Sequence, residues 1–175
     1  MKPMIKFVFG ILVGACLLAL GGYLFIAKGG VQMGTEGGPL PMERFLVGKA
    51  ITHSIGQSAN QQSPVQADET NLLAGAQIFQ KSCAGCHGVI DKPDSGMDHR
   101  FYPPAPHLLP PSKGVTGDPV GAIHWVVEHG IRFSGMPSFH GKLTDTEIWQ
   151  VSQFLRNANK LSPSVQSALQ PAPTP

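Results

Sequence analysis

The sequence predicts an all-α protein: a small helical domain preceded by one transmembrane helix and a linker. Three observations lead there. An uninterrupted apolar run occupies residues 7–27, behind Lys2 and Lys6. Three later segments repeat their apolar residues at helical spacing. No stretch alternates apolar and polar residues as a half-buried strand would.

The run at 7–27 carries no charge until Lys28. At about 1.5 Å rise per residue it makes roughly 31 Å of helix, enough to cross the hydrocarbon core of a bilayer. A cleavable signal peptide has a shorter apolar region and a small-residue cleavage site. Residues 1–28 are therefore expected to be an uncleaved signal anchor. Lys2, Lys6 and the α-amino group precede the span, and Lys28 is the one positive charge close behind it. That bias sets the N-terminus in the cytoplasm and the rest of the chain on the periplasmic side of the inner membrane. Two other readings compete. Val13-Gly14-Ala15-Cys16 is similar to the lipobox of bacterial lipoproteins, but the chain stays apolar after Cys16, where a lipoprotein usually turns polar. A cleaved, soluble form is the other. Cys16 is read as a small apolar residue facing lipid.

Residues 29–67 read as a linker. It opens glycine-rich, holds at 41–55 a candidate for a short amphipathic helix on the membrane surface or against the domain, with Pro41 in its first turn, and ends in the polar stretch 56–67. The compact domain is expected over 68–161, with residues 162–175 as a C-terminal tail. Its first helix spans roughly 71–82, where Leu72, Gly75, Ala76 and Phe79 share a face. Its second spans roughly 119–129, with Asp118 as N-cap, Pro119 at the first position and Gly130 past the end. Val120, Ile123, Val127 and Ile131 mark its inner side. A third, at 145–157, begins with a Thr144/Glu147 capping box and buries Ile148, Val151 and Leu155, with Trp149 and Phe154 on its flanks. Three helices in about 90 residues leave too little regular structure for a large core. The chain as a whole holds 21 glycines and 16 prolines. Something besides side chains should fill the middle of such a domain.

Residues 81–88 read K-S-C-A-G-C-H-G. A structural zinc site needs four ligands, and the chain's three cysteines offer no second pair. A thioredoxin-like pair would need a βαβ surrounding, which the sequence lacks, and no histidine beside it. C-x-x-C-H is the attachment pattern of c-type haem. Thiols three apart can add to the two vinyl groups on one porphyrin edge, and the next residue then lies under the iron. Cys83 and Cys86 are thus the expected covalent sites of one haem c, and His87 the expected iron ligand.

For the opposite axial position the candidates are Met97, Met136 and the histidines 99, 107, 124, 129 and 140. Met97 follows His87 too closely to reach across the haem plane easily. Met136 stands between two helices in G-M-P, where Gly135 allows close approach and Pro137 stiffens the exit. Met136 is the ligand expected, against the plainer reading of core filler. His124 reads as a helix-surface residue. His99, His129 and His140 read as solvent-facing.

With these motifs in hand, residues 68–161 resemble the class I cytochrome c family. C-A-G-C-H, Pro106-His107-Leu108, G-M-P and the helix L-T-D-T-E-I-W-Q-V-S-Q-F-L carry the likeness, in the family's order. The resemblance implies a small cytochrome c-like helical domain around a covalent haem. It implies that the Pro106 carbonyl accepts the proximal imidazole N–H, that Leu108 packs on the haem, and that Phe154 meets Gly75 and Phe79. Within the family the chain is similar to membrane-anchored bacterial cytochromes and to cytochrome subunits of periplasmic dehydrogenases and oxidases.

Iron held by histidine and methionine leaves no open position, so the expected role is one-electron transfer rather than catalysis. Redox proteins are the expected partners: a donor dehydrogenase or quinol oxidoreductase, and an acceptor oxidase or soluble cytochrome. The alternatives are a cytochrome subunit inside a larger oxidoreductase and, were Met136 not bound, a haem enzyme or gas-binding protein. Arg132 is read evenly as a haem propionate contact or a surface charge. A formal net charge of +2 with no basic run gives no support to nucleic-acid binding. The low charged content, 14%, points to docking through an apolar patch.

Overall fold

The computed structural model describes residues 2–31, 34, 37–90, 92, 95–97 and 100–169. His99 and the terminal Q-P-A-P-T-P fall outside them, as does part of the glycine-rich stretch after residue 31. The described chain is all-α and divides into two compact units, Met1–Arg44 and Phe45–Pro175.

The first unit is built on α1, Lys2–Ala27. Among the described residues this is the one helix long and apolar enough to cross a bilayer. Its large apolar side chains, such as Phe7, Leu18 and Phe25, pack against no protein core and are exposed.

A second helix, α2, runs Glu43–Ile55 and buries none of its residues. A 3-10 turn, Gly56–Asn60, follows at once. Residues 56–67, read from the sequence as linker, lie strapped onto the domain. The strap crosses the later helix α5, Val120–His129, at Gly121, where an added Cβ would stand 2.9 Å from the Gln61 carbonyl oxygen. Further along, the Gln153 side-chain amide donates to the Val65 carbonyl at 2.9 Å. A strap with few apolar side chains leaves no periodic signal, since it is held through backbone carbonyls.

The core rests on three helices. The first, α3, spans Glu69–Ser82 and is capped by Asp68, whose carboxylate accepts from the Asn71 N–H at 2.9 Å. Second comes α5. The expected Asp118 cap is not the one observed: Pro119 occupies the N-cap in extended conformation, and its carbonyl accepts from Ala122 at 3.0 Å. Asp118 instead closes a turn, donating its N–H to Val115. Third is α6, Asp145–Arg156, which shows the full Thr144/Glu147 capping box. These reciprocal bonds hold the Glu147 carboxyl below its ordinary value.

Helix α6 packs across both α3 and α5. Trp149 and Phe154, expected on its flanks, are buried with Ile148, Val151 and Leu155. The tightest approach is at Gly75 of α3. A Cβ there would lie 2.7 Å from the Phe154 Cβ and collide with the Gln150 carbonyl oxygen. Phe79 and Phe154, both fully buried, meet beside it with ring centroids 5.5 Å apart and planes at 47°.

Packing continues past residue 161. Helix α7, Pro163–Ser167, sits against α3 and sends Val165 into the core, joined by Leu169. Ser162 and Ser164 donate to the Glu69 carboxylate, which lowers its pKa. The segment expected as a tail therefore begins with a packed helix. At five residues it is too short to show periodicity.

Gly75→Ala should lower the unfolding free energy by about 1–3 kcal/mol, because the methyl group has no free space. Gly48→Ala in α2, where an added Cβ meets no atom within 4 Å, should leave stability unchanged or slightly raised. Denaturant titration of the purified protein in detergent distinguishes the two.

Candidate functional site

Helix α3 ends at Cys83, whose own N–H still donates to the Phe79 carbonyl at 2.8 Å. The chain continues directly into α4, Ala84–His87. One helical turn thus separates the two cysteines, and His87 completes the turn: the N–H groups of Cys86 and His87 both donate to the Cys83 carbonyl, at 3.1 and 3.0 Å. Residues three and four apart on a helix share a face. The chain then turns away at Gly88.

His87 Nδ1 lies 2.7 Å from the carbonyl oxygen of Pro106. A carbonyl can only accept, so Nδ1 carries the proton and Nε2 keeps its lone pair. Burial pushes the His87 pKa down, the bond to Pro106 opposes this, and the charge of His107 adds to the lowering. The ring is therefore held in the neutral form that ligates metals. His107 anchors the same loop by reaching the Val89 carbonyl with Nε2 at 3.4 Å.

Cys83 is buried and Cys86 partly so, and neither forms a disulfide. Burial, then the nearby Cys86, pushes the Cys83 thiol up to about 12. A disulfide-exchange pair needs a depressed thiol pKa, so this environment is wrong for that chemistry. Among the described residues no group of three or more His, Cys, Asp or Glu side chains could hold a metal ion by itself.

The remaining expected residues take these places. Leu108 is half-buried against the core, while its neighbour Leu109 is fully buried. Met136 is half-buried and packs on the same core. Its N–H donates to Ser134 Oγ at 3.1 Å, and its carbonyl accepts from Ile131 at 3.1 Å. Gly135 beside it stands against the Phe101 ring, which ties this loop to the one after α4. Arg132 is exposed and makes no ion pair among the described residues. Met97 is exposed.

One residue departs from its sequence reading. His124, expected on a helix surface, is buried and stacked on Trp149 with ring centroids 3.8 Å apart. Its Nε2 meets Asp145 Oδ1 at 3.1 Å. The i, i+3, i+4 pattern running from Val120 through Ile123 to Val127 places 124 at the edge of the apolar face, which was the available signal. His140 is largely exposed, and His129 is about half exposed, its ring stacked on Trp125.

Residues 70–155 match the model of one protein family: cytochrome c oxidase, cbb3-type, subunit III. The domain is related to that family. The matched stretch takes in α4, α5, nearly all of α3 and α6 up to Leu155, and so both the C-A-G-C-H turn and the Met136 loop. It leaves out α1, α2, the strap and α7. Neither a curated protein nor a solved structure matches the chain. The relationship fits a non-catalytic, electron-transfer role.

A raised thiol pKa has a measurable sign in chain produced without an attached cofactor. The folded Cys83 keeps its proton up to about 12, whereas the unfolded thiol loses it from 9.0. The Cys83 contribution to stability is therefore complete below pH 9 and is lost as pH rises toward 12. Comparing the parent with Cys83→Ala across that range should show the parent's relative stability falling. Near pH 8, iodoacetamide should alkylate Cys83 about a thousandfold more slowly in the folded than in the urea-unfolded chain, given the shift in thiolate fraction.

Proposed function

We propose that this chain is an electron-transfer subunit of a membrane-bound respiratory oxidoreductase. Cys83 and Cys86 would hold one haem c through thioether bonds, and His87 and Met136 would ligate its iron. The observation that carries this reading is the His87–Pro106 hydrogen bond directly behind the cysteine pair. It leaves Nε2 as a neutral donor on the same helical turn as two unpaired cysteines. That donor set suits a covalently held porphyrin better than a zinc ion or a disulfide.

The bound haem would supply a one-electron couple. The protein's own contribution lies in positioning. Pro106 fixes the His87 ring and its tautomer, and so its basicity as a ligand. Ser134 and Ile131 pin the backbone on either side of the Met136 side chain, so the thioether leaves from a fixed base. Leu108, Leu109 and the Phe79/Phe154 pair keep water from the interior. The exposed guanidinium of Arg132 is available to a haem propionate.

Helix α1 anchors the domain in the inner membrane, with the N-terminus in the cytoplasm and the domain on the periplasmic side. Tethering raises the effective concentration of the domain near membrane-bound redox partners. The family match favours a subunit of a larger complex over a carrier that moves freely between a donor and an acceptor.

Mild solubilisation and sizing of membranes test that preference. The chain should migrate at constant ratio with at least one further subunit bearing its own redox centre; migration alone would favour the free carrier. Met136→Ala, in haem-loaded protein, should abolish the far-red ferric band of methionine ligation, lower the reduction potential and admit carbon monoxide to the ferrous form. An unchanged spectrum would remove Met136 as a ligand.

A further inference from the structure

Outside α1, seven large apolar side chains are exposed among the described residues: Leu40, Met42, Phe45, Leu46, Val47, Met97 and Phe133. Five of the seven fall between residues 40 and 47, at the start of α2. Met42 is 65% exposed, Phe45 58% and Leu46 57%. Such a concentration on a chain whose interior is otherwise well packed marks a surface that meets something.

The arrangement indicates what it meets. Phe45, Leu46 and Val47 are consecutive, so at about 100° per residue they spread round more than half of the helix. A protein groove takes a stripe of anchors at i, i+3, i+4 and i+7. An apolar collar round one end of a helix needs a medium that surrounds it. Along the axis of α2 the exposed surface changes character: beyond Gly48 the exposed residues are Lys49, Ala50, Thr52, His53 and Ser54, while Ile51 and Ile55 are partly buried. The charges agree. The Lys49 ammonium stands 5.9 Å from the Phe45 ring centroid, at the boundary between the collar and the polar half. Arg44 adds a second cation at the collar. The nearby carboxylate, Glu43, is occupied in capping the Leu40 N–H at 2.7 Å. Finally, this end of α2 follows the bilayer-length helix by a short connection, 28–42.

We propose that the first turns of α2 insert into the headgroup–acyl boundary of the bilayer that α1 spans. Phe45, Leu46 and Val47 reach the acyl region, Arg44 and Lys49 contact anionic headgroups, and the half from Thr52 onward lies in water. The inference rests on the reading of α1 as a membrane span.

Spin-label accessibility in the full haem-loaded chain tests it, in vesicles of phosphatidylethanolamine and phosphatidylglycerol. A nitroxide on native Cys16 reports on α1. In a Cys16→Ala background, Leu46→Cys and His53→Cys carry the label in turn. The label at 46 should collide several-fold more with dissolved oxygen than with a polar nickel chelate, and the label at 53 should show the reverse. Equal nickel access at 46 and 53 would overturn the proposal by placing both in water. Shielding of 46 from oxygen and nickel alike would overturn it in favour of a protein partner or a second copy. Should the label at Cys16 be open to nickel, the anchor reading itself fails. With Cys16 buried and 46 in water, only the interfacial proposal fails. Phe45→Trp, quenched by brominated lipids, gives the same discrimination without a cysteine; absence of quenching would count against insertion.

Discussion

The close crossing of α3 and α6 at Gly75 is the constraint from which the rest of the domain is set out. Without a side chain at that position, Phe154 and the Gln150 backbone come into contact with α3, and Phe79 closes against Phe154. Two buried aromatic rings in tilted contact fix both the separation and the rotation of the helices. Helix α3, held in that position, ends at Cys83. The cysteine turn follows from that end point: the next turn presents Cys86 and His87, and Pro106 stands within hydrogen-bonding distance of the imidazole.

Much of this was legible in the sequence because it was written in periodic or short-range signals. The faces of α3 and α6, the Thr144/Glu147 box and the length of α1 are all of this kind. The Gly75–Phe79–Phe154 contact was reached through the likeness to class I cytochromes c, as was the bond from His87 to Pro106. Features held by backbone carbonyls or made of very few residues escaped. The strap at 56–67 has no apolar pattern because it is held at Gly121 and through Gln153. Helix α7 contributes Val165 from a single turn. His124 was misplaced because one imidazole at the edge of an apolar face reads the same whether it faces water or stacks on an indole, and Trp149 is 25 residues away in the chain.

The electrostatics of the cysteine turn narrow its chemistry. A thiol driven up to about 12 is unreactive as a nucleophile at physiological pH. An imidazole whose charged form is disfavoured, and whose proton is fixed on Nδ1, is a ligand in waiting. Together they describe residues whose use is to hold something. The relation of residues 70–155 to a subunit family of cytochrome c oxidases and the bilayer-length helix at the N-terminus both fit a holder of an electron carrier at a membrane.

The most direct measurement is the intact mass and visible spectrum of the full chain, produced in a host competent for c-type cytochrome maturation and denatured before analysis. One tetrapyrrole should remain attached to each chain through thioether bonds at Cys83 and Cys86, and the protein should be red. A colourless chain with free thiols at both positions would contradict the account.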